Sequence, residues 1–186
     1  MDNDTKLAML TPCCQLVNFD SYWISGNQMK KTKRTRAGTA LTDLILGMFR
    51  ANNLTLAWGD RLVAPLGLTS ARWQILGAIV AADRPQPVAW LARDLGANRQ
   101  NVQRIVNDLG KEGLISFEPN PHHRRAQLVV LTDKGQRTYD AAISLYDPQV
   151  NALADEFTFE DIEIAGRVMT ALRKRLEGDE GAGGES

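Results

Sequence analysis

Cysteine is almost missing from this chain: the two present, Cys13 and Cys14, are adjacent. Neighbouring cysteines rarely bridge each other because the geometry is strained. No disulfide framework is expected, and from residue 15 onward no thiol remains for a zinc site or a redox sensor. Histidine is as scarce, with His122 and His123 side by side. Adjacent histidines seldom point at one metal, so no metal and no cofactor are expected. A nucleophile–base pair is missing too, and no glycine cluster follows a strand pattern to cradle phosphate. These gaps argue against an enzyme. Long apolar runs are also absent: nothing nears the roughly 18 residues of a membrane span. The start lacks the basic segment and apolar run of a secretory signal. The expectation is a cytoplasmic protein without membrane contact.

Net charge is zero, which excludes a uniformly basic nucleic-acid coat. The distribution is uneven, however. Residues 1–131 hold 16 Lys/Arg against 10 Asp/Glu, whereas residues 132–186 hold 6 against 12. One basic face and an acidic remainder suit a protein with a single nucleic-acid surface, although chance segregation gives the same count. The length of 186 residues fits one core better than two.

Residues 1–37 show no sustained period and read as a disordered basic leader. Its run Met29–Arg36 (MKKTKRTR) is a solvated arm or a phosphate contact, and Met29 is a candidate internal start. A long helix is expected from about Thr39 to Val63, because Leu41, Leu44, Ile45, Met48, Phe49 and Leu54 recur at helical spacing. Gly67 breaks the chain, and Thr69 or Ser70 caps a second helix containing Trp73, Ile75, Leu76 and Ile79. Pro87 suits the first turn of a third helix that ends at Gly96. Asn98 is placed to cap a fourth, whose buried stripe is Val102, Ile105, Val106 and Leu109. Ile115–Glu118 and Gln127–Leu131 read as two strands joined by a short loop. Thr132 caps a fifth helix through about Ala154, kinked near Pro148. Thr158 and Asp161 resemble a capping box before a sixth helix with Ile162, Ala165, Val168, Met169 and Leu172 as its stripe. The glycine-rich acidic segment 177–186 reads as a disordered tail.

The chemistry sits between Ala89 and Gly135. The fourth helix carries Gln100, Asn101, Gln103, Arg104 and Asn107 opposite its apolar stripe. Amides pair bidentately with adenine and guanidinium groups with guanine in the major groove, and the N-terminal half of such a helix is where bases are met. Arg99, at the helix start, suits a phosphate. The following loop holds His122, His123, Arg124 and Arg125. Arginine on a narrow hairpin can enter a minor groove, where negative potential is focused. The order helix, turn, helix, basic hairpin is that of a winged helix-turn-helix. The fold class expected is mainly α with a small β-hairpin wing.

The runs NRQNVQRIVNDLGKEGLI and HRRAQLVVLTDKG resemble the MarR family of transcription regulators, over about residues 39–176. That family places an Asp, one residue, an Arg and a small residue before the second wing strand and its Leu-Thr-x-x-Gly. The matching positions here are His123, Arg125 and Ala126, then Leu131, Thr132 and Gly135. The resemblance gives Arg125 the minor-groove role, while His123 departs from the usual Asp. It implies one domain over 38–176, with a DNA-binding lobe at about 66–132. Dimerisation helices follow at about 39–63 and 133–176. It also implies a homodimer on double-stranded DNA, reading a pseudo-palindromic operator and most often repressing. The apolar stripes want a partner as well, with an intrachain core as the alternative.

Family members often sense small aromatic acids or phenols between the dimer helices and the DNA lobe. Trp58, Arg61, Arg72 and Trp73 are the candidates for such an effector site, as an aromatic wall with a carboxylate clamp. The alternative puts the tryptophans in the core and the arginines in salt bridges. A winged helix used for protein docking, without DNA, is the competing function.

Overall fold

The computed structural model describes residues 33–182 apart from Asp83 and Arg124. Cys13, Cys14 and most of the basic leader therefore lie outside the described residues, as do residues 183–186. The chain divides into two units, Met1–Thr42 and Asp43–Ser186. In the first, the Thr35 hydroxyl accepts the N–H of Gly38 at 3.0 Å. That cap starts helix α1 (Arg36–Val63) about a turn before the apolar stripe begins, so the last residues assigned to the leader are helical. The periodicity marks only where α1 becomes apolar, not where its hydrogen bonds begin.

In the second unit a 3₁₀ turn (Ala64–Leu66) leads to α2 (Ser70–Ala81), capped by Thr69. Ser70 ties α2 back to α1: its hydroxyl donates to the Leu56 carbonyl at 2.7 Å, and its N–H donates to the Asp60 carboxylate at 2.6 Å. Next come β1 (Gln86–Pro87), α3 (Val88–Asp94) and α4 (Arg99–Lys111). Strands β2 (Ile115–Glu118) and β3 (Leu128–Leu131) precede α5 (Asp133–Ala154) and α6 (Phe159–Ala182).

The hairpin of β2 and β3 has the register Ile115↔Leu131 to Glu118↔Leu128. A third strand was not expected. Gln86 and Pro87 pair antiparallel with Val129 and Leu128, giving the order β1-β3-β2. Pro87 is therefore extended (φ −72°, ψ 155°) and flanks α3 rather than sitting in its first turn. An edge strand tolerates proline because no partner needs its missing N–H. Helix α5 continues through Pro148 as one helix. Helix α6 runs to Ala182, past Glu177, where the glycine-rich composition suggested an end; the Arg173–Glu177 pair at 3.4 Å spans that point, one helical turn apart.

The core lies in the lobe formed by α2, α3, α4 and the sheet. Ile75, Leu76, Leu91, Val102, Val106, Leu109 and Val129 are all essentially inaccessible. Each such side chain contributes about 1.5–3 kcal/mol by leaving water. The stripes of α1 and α6 are not part of this core. Phe49 is 65% exposed, and Leu41, Leu44, Leu54, Ile162, Val168 and Met169 are exposed as well. Ile45, Met48 and Leu172 of the same stripes are half-buried.

Gly135 is buried in the first turn of α5. A Cβ there would overlap the Leu114 carbonyl oxygen and crowd Leu131. The backbone oxygen cannot move without breaking its bond to Thr132 N–H, 3.1 Å long. Gly135→Ala is expected to cost at least about 1–3 kcal/mol, measured by chemical denaturation; an unchanged midpoint would show that α5 shifts freely.

Candidate nucleic-acid interface

Helix α4 is built to show one face. Asn98 accepts from the N–H groups of Gln100 (2.9 Å) and Asn101 (3.3 Å), which starts the helix sharply. Val102, Ile105, Val106 and Leu109 are buried. The opposite positions Arg99, Gln100, Asn101, Arg104 and Asn107 are exposed, and Gln103 is half-buried. The polar groups brace one another. Gln103 Nε2 donates to Asn107 Oδ1 at 2.9 Å, and Arg104 Nη2 donates to Asn101 Oδ1 at 3.0 Å. These bonds link side chains one helical turn apart and narrow their rotamers. Each is solvent-exposed and worth little net, so it does not lock these groups away from another hydrogen-bond partner.

The C-terminal end of α4 is anchored from three sides. Gly113 adopts the left-handed φ of 72° that stops the helix. The Thr132 hydroxyl donates to the Gly113 carbonyl at 2.7 Å and accepts from Gly135 N–H at 3.0 Å. Lys134 Nζ donates to the Glu112 carbonyl at 2.7 Å. Arg72 pairs with the Glu112 carboxylate and also donates to the Gly67 carbonyl at 2.9 Å. The angle of α4 is therefore tied to α2 and to the start of α5.

The wing is shaped by Asn120, whose side-chain oxygen accepts from His122 N–H at 3.0 Å while its carbonyl accepts from His123 N–H at 3.3 Å. His123 closes the turn through its carbonyl, bonded to Ala126 N–H at 3.0 Å. His122, His123 and Arg125 are exposed. Among the described residues nothing holds the Arg125 guanidinium. Arg124 lies outside the described residues.

The four effector candidates separate. Trp58 and Trp73 line a cavity of about 310 Å³. Arg61 is exposed and lines no part of it. Arg72 is committed to Glu112 and Gly67 instead. The expected carboxylate clamp is not formed, because the Arg72 side chain runs from α2 toward the end of α4. The aromatic wall is completed by Tyr139, Ile143 and Tyr146 of α5. Tyr146 meets Trp73 edge-on (centroids 5.1 Å, 66°) and Trp58 at a tilt (5.8 Å, 60°). Sequence reading passed over these residues, though their spacing of four and three along a helix was the available signal.

Helix α4 capped by Asn98, the wing hairpin and the three-stranded antiparallel sheet make up a winged helix-turn-helix fold. A MarR family model matches residues 66–126. An uncharacterized protein of Mycobacterium tuberculosis is 40% identical over 112 residues, which is 60% of this chain and 77% of that protein. The transcriptional activatory protein BadR of Rhodopseudomonas palustris is 28% identical over 155 residues, 77% of this chain and 84% of its own. Among solved structures, the repressor CouR bound to a 23-mer DNA duplex superposes with a TM-score of 0.64 at 22% identity, over 76% of this chain and 99% of that one. CouR from Rhodococcus jostii RHA1 bound to p-coumaroyl-CoA gives 0.63 at 18% identity, over 70% and 91%. The chain belongs to the MarR family of transcription regulators. No helix among the described residues is long and apolar enough to cross a membrane.

Proposed function

We propose that this protein is a sequence-specific DNA-binding regulator that acts as a homodimer on a pseudo-palindromic operator. The observation that carries this is the face of α4. Amides and guanidinium groups occupy its exposed side while its other side is fully sunk in the core. Gln100, Asn101, Gln103, Arg104 and Asn107 read bases. Arg99 and the wing residues His123, Arg124 and Arg125 meet the backbone and the minor groove. No catalytic step is assigned to the chain. The dimer reading rests on the apolar stripes of α1 and α6, which this chain leaves uncovered. Two copies related by a two-fold axis cover them and set two α4 helices about one DNA turn apart.

Binding to duplex DNA over a salt series is the test. A DNA reader loses affinity steeply as salt rises, with a slope near −0.9 per phosphate neutralised, on the order of several phosphates in all. A flat response, or no retention of duplex in dilute buffer, would assign the fold to protein docking. The sign of regulation follows from where the operator lies. Occlusion of a promoter gives repression, and run-off transcription with and without the protein reads it directly; a rise in transcript would make it an activator, as the name of BadR implies for that relative.

The cavity walled by Trp58, Trp73 and Tyr146 supports a second role, as the site for a small aromatic effector. CouR, solved with p-coumaroyl-CoA, carries an aromatic group in its ligand, which supports an aromatic occupant here. A bound ring alters tryptophan emission directly. Titration of the protein with a panel of phenols and aromatic amides, followed by fluorescence and by release from DNA, checks it. Emission that stays constant across the panel would return the cavity to plain packing.

A further inference from the structure

Helix α3 carries a surface feature that the base-reading face does not use. Trp90, in its first turn, is 40% exposed. Two guanidinium groups lie over its ring, with the Cζ of Arg84 5.5 Å and the Cζ of Arg93 5.6 Å from the centroid. Arg84 precedes β1, and Arg93 stands in the last turn of α3. Val88, Leu91 and Ala92 face the core, so Trp90 and Arg93, one turn apart, share the outward side. Arg93 also lies 3.5 Å from Asp94, but both side chains are largely exposed, and such a pair holds little. The ring therefore positions two cations that the fold itself leaves available.

The surroundings point to an occupant. On one side α3 is joined to the wing sheet, because Gln86 and Pro87 pair with β3. On the other it packs on α4 and leads into it through Gly96 and Asn98. In a helix-turn-helix the first helix crosses the sugar-phosphate backbone when the second lies in the groove. We propose that Arg84, Trp90 and Arg93 form a second phosphate-binding station for duplex DNA, continuous with the α4 surface. The inference rests on the DNA-binding reading above. A guanidinium held over an indole by a cation–π contact keeps its charge and its outward donors while losing rotamer freedom in advance. It meets a phosphate at a smaller entropic cost than a free arginine. Such contacts orient the protein and carry no base information.

The test uses the full chain and a random-sequence duplex beside a fragment selected from genomic DNA. Arg84→Gln with Arg93→Gln is expected to reduce the slope of log affinity against log salt by up to about two per subunit. Affinity should fall by the same factor on both duplexes, leaving their ratio unchanged. Arg84→Lys with Arg93→Lys keeps the charges without the planar, forked guanidinium, and should retain the slope while weakening binding slightly. Unchanged melting temperatures confirm that the variants fold. A wild-type slope preserved in the glutamine variant overturns the station and leaves the α4 reading intact. If the wild type itself binds neither duplex at low salt, both fall. Loss of the genomic preference alone would make the arginines base readers, which also overturns the proposal.

Discussion

Val168→Glu combined with Met169→Glu should leave a folded monomer that no longer retains operator DNA. Both residues sit on the exposed apolar stripe of α6, at 41% and 43% accessibility, and neither contributes to the buried core of the lobe. Glutamate forms helix well, so α6 itself tolerates the change. In a dimer the same positions are covered, and two carboxylates per copy would enter an apolar contact without partners. Leaving a charge buried and unpaired costs several kcal/mol. The lobe keeps its fold, yet each α4 then binds one half-site alone. Losing the tether between half-sites reduces apparent affinity by about 10²–10⁴-fold. Sedimentation reports the assembly state and a gel-shift assay the DNA affinity. A variant that sediments as a dimer would move the interface elsewhere, and a monomer with full affinity would remove the two-fold operator.

Arg125→Ala tests the wing and carries the next largest effect. Arg125 is exposed, and no residue among those described holds it. Its removal therefore takes nothing from the folded protein, and the melting temperature should not move. Operator binding should weaken by about 1–3 kcal/mol, or roughly fivefold to 140-fold at about 1.4 kcal/mol per decade. The informative contrast is Gln103→Ala. That residue lies half-buried on α4, bonded to Asn107 at 2.9 Å. Its loss should relax preference at one base pair per half-site and leave weak binding to unrelated duplex little changed. If Arg125→Ala binds as tightly as the parent, the wing has no part in recognition. If Gln103→Ala loses affinity evenly across sequences, Gln103 touches backbone and not bases.

The MarR likeness and the uncovered stripes give the fold a division of labour. The core of the lobe from α2 to β3 also takes in Val63 at the end of α1 and Ala142 of α5, whereas most stripe residues of α1 and α6 stay exposed. The cavity between α1, α2 and α5 lies within reach of both parts. Ser70 and Trp73 line it on α2, and Arg72 between them reaches the end of α4. A ligand that shifted Trp73 would act on α2, the helix whose Arg72 is paired with Glu112 at the end of α4. Coupling of this kind would require a ligand to bind two lobe positions with different affinity.

Local signals were legible wherever one residue's chemistry decides a backbone event. Asn98 and Thr132 cap the helices they were expected to cap, since an oxygen acceptor there meets free N–H groups. The buried stripe of α4 was equally plain, because a period of 3–4 residues leaves one face to the core. Strand β1 was not readable: two residues carry no period, and their pairing with Val129 and Leu128 depends on a chain segment some forty residues away. The same holds for Arg72. Its type and spacing suited a ligand clamp, but its charge is satisfied by Glu112, a partner that becomes near only after α2 packs on α4. The gathering of Arg84 and Arg93 over Trp90 was not read from the sequence, because Arg84 reaches the ring from the loop before β1. Caps, stripes and the polar face of α4 are properties of neighbours along the chain, so they can be read in a line. Strand pairing, the fate of each arginine and the walls of the cavity are properties of neighbours in space, and those exist only once the elements have packed.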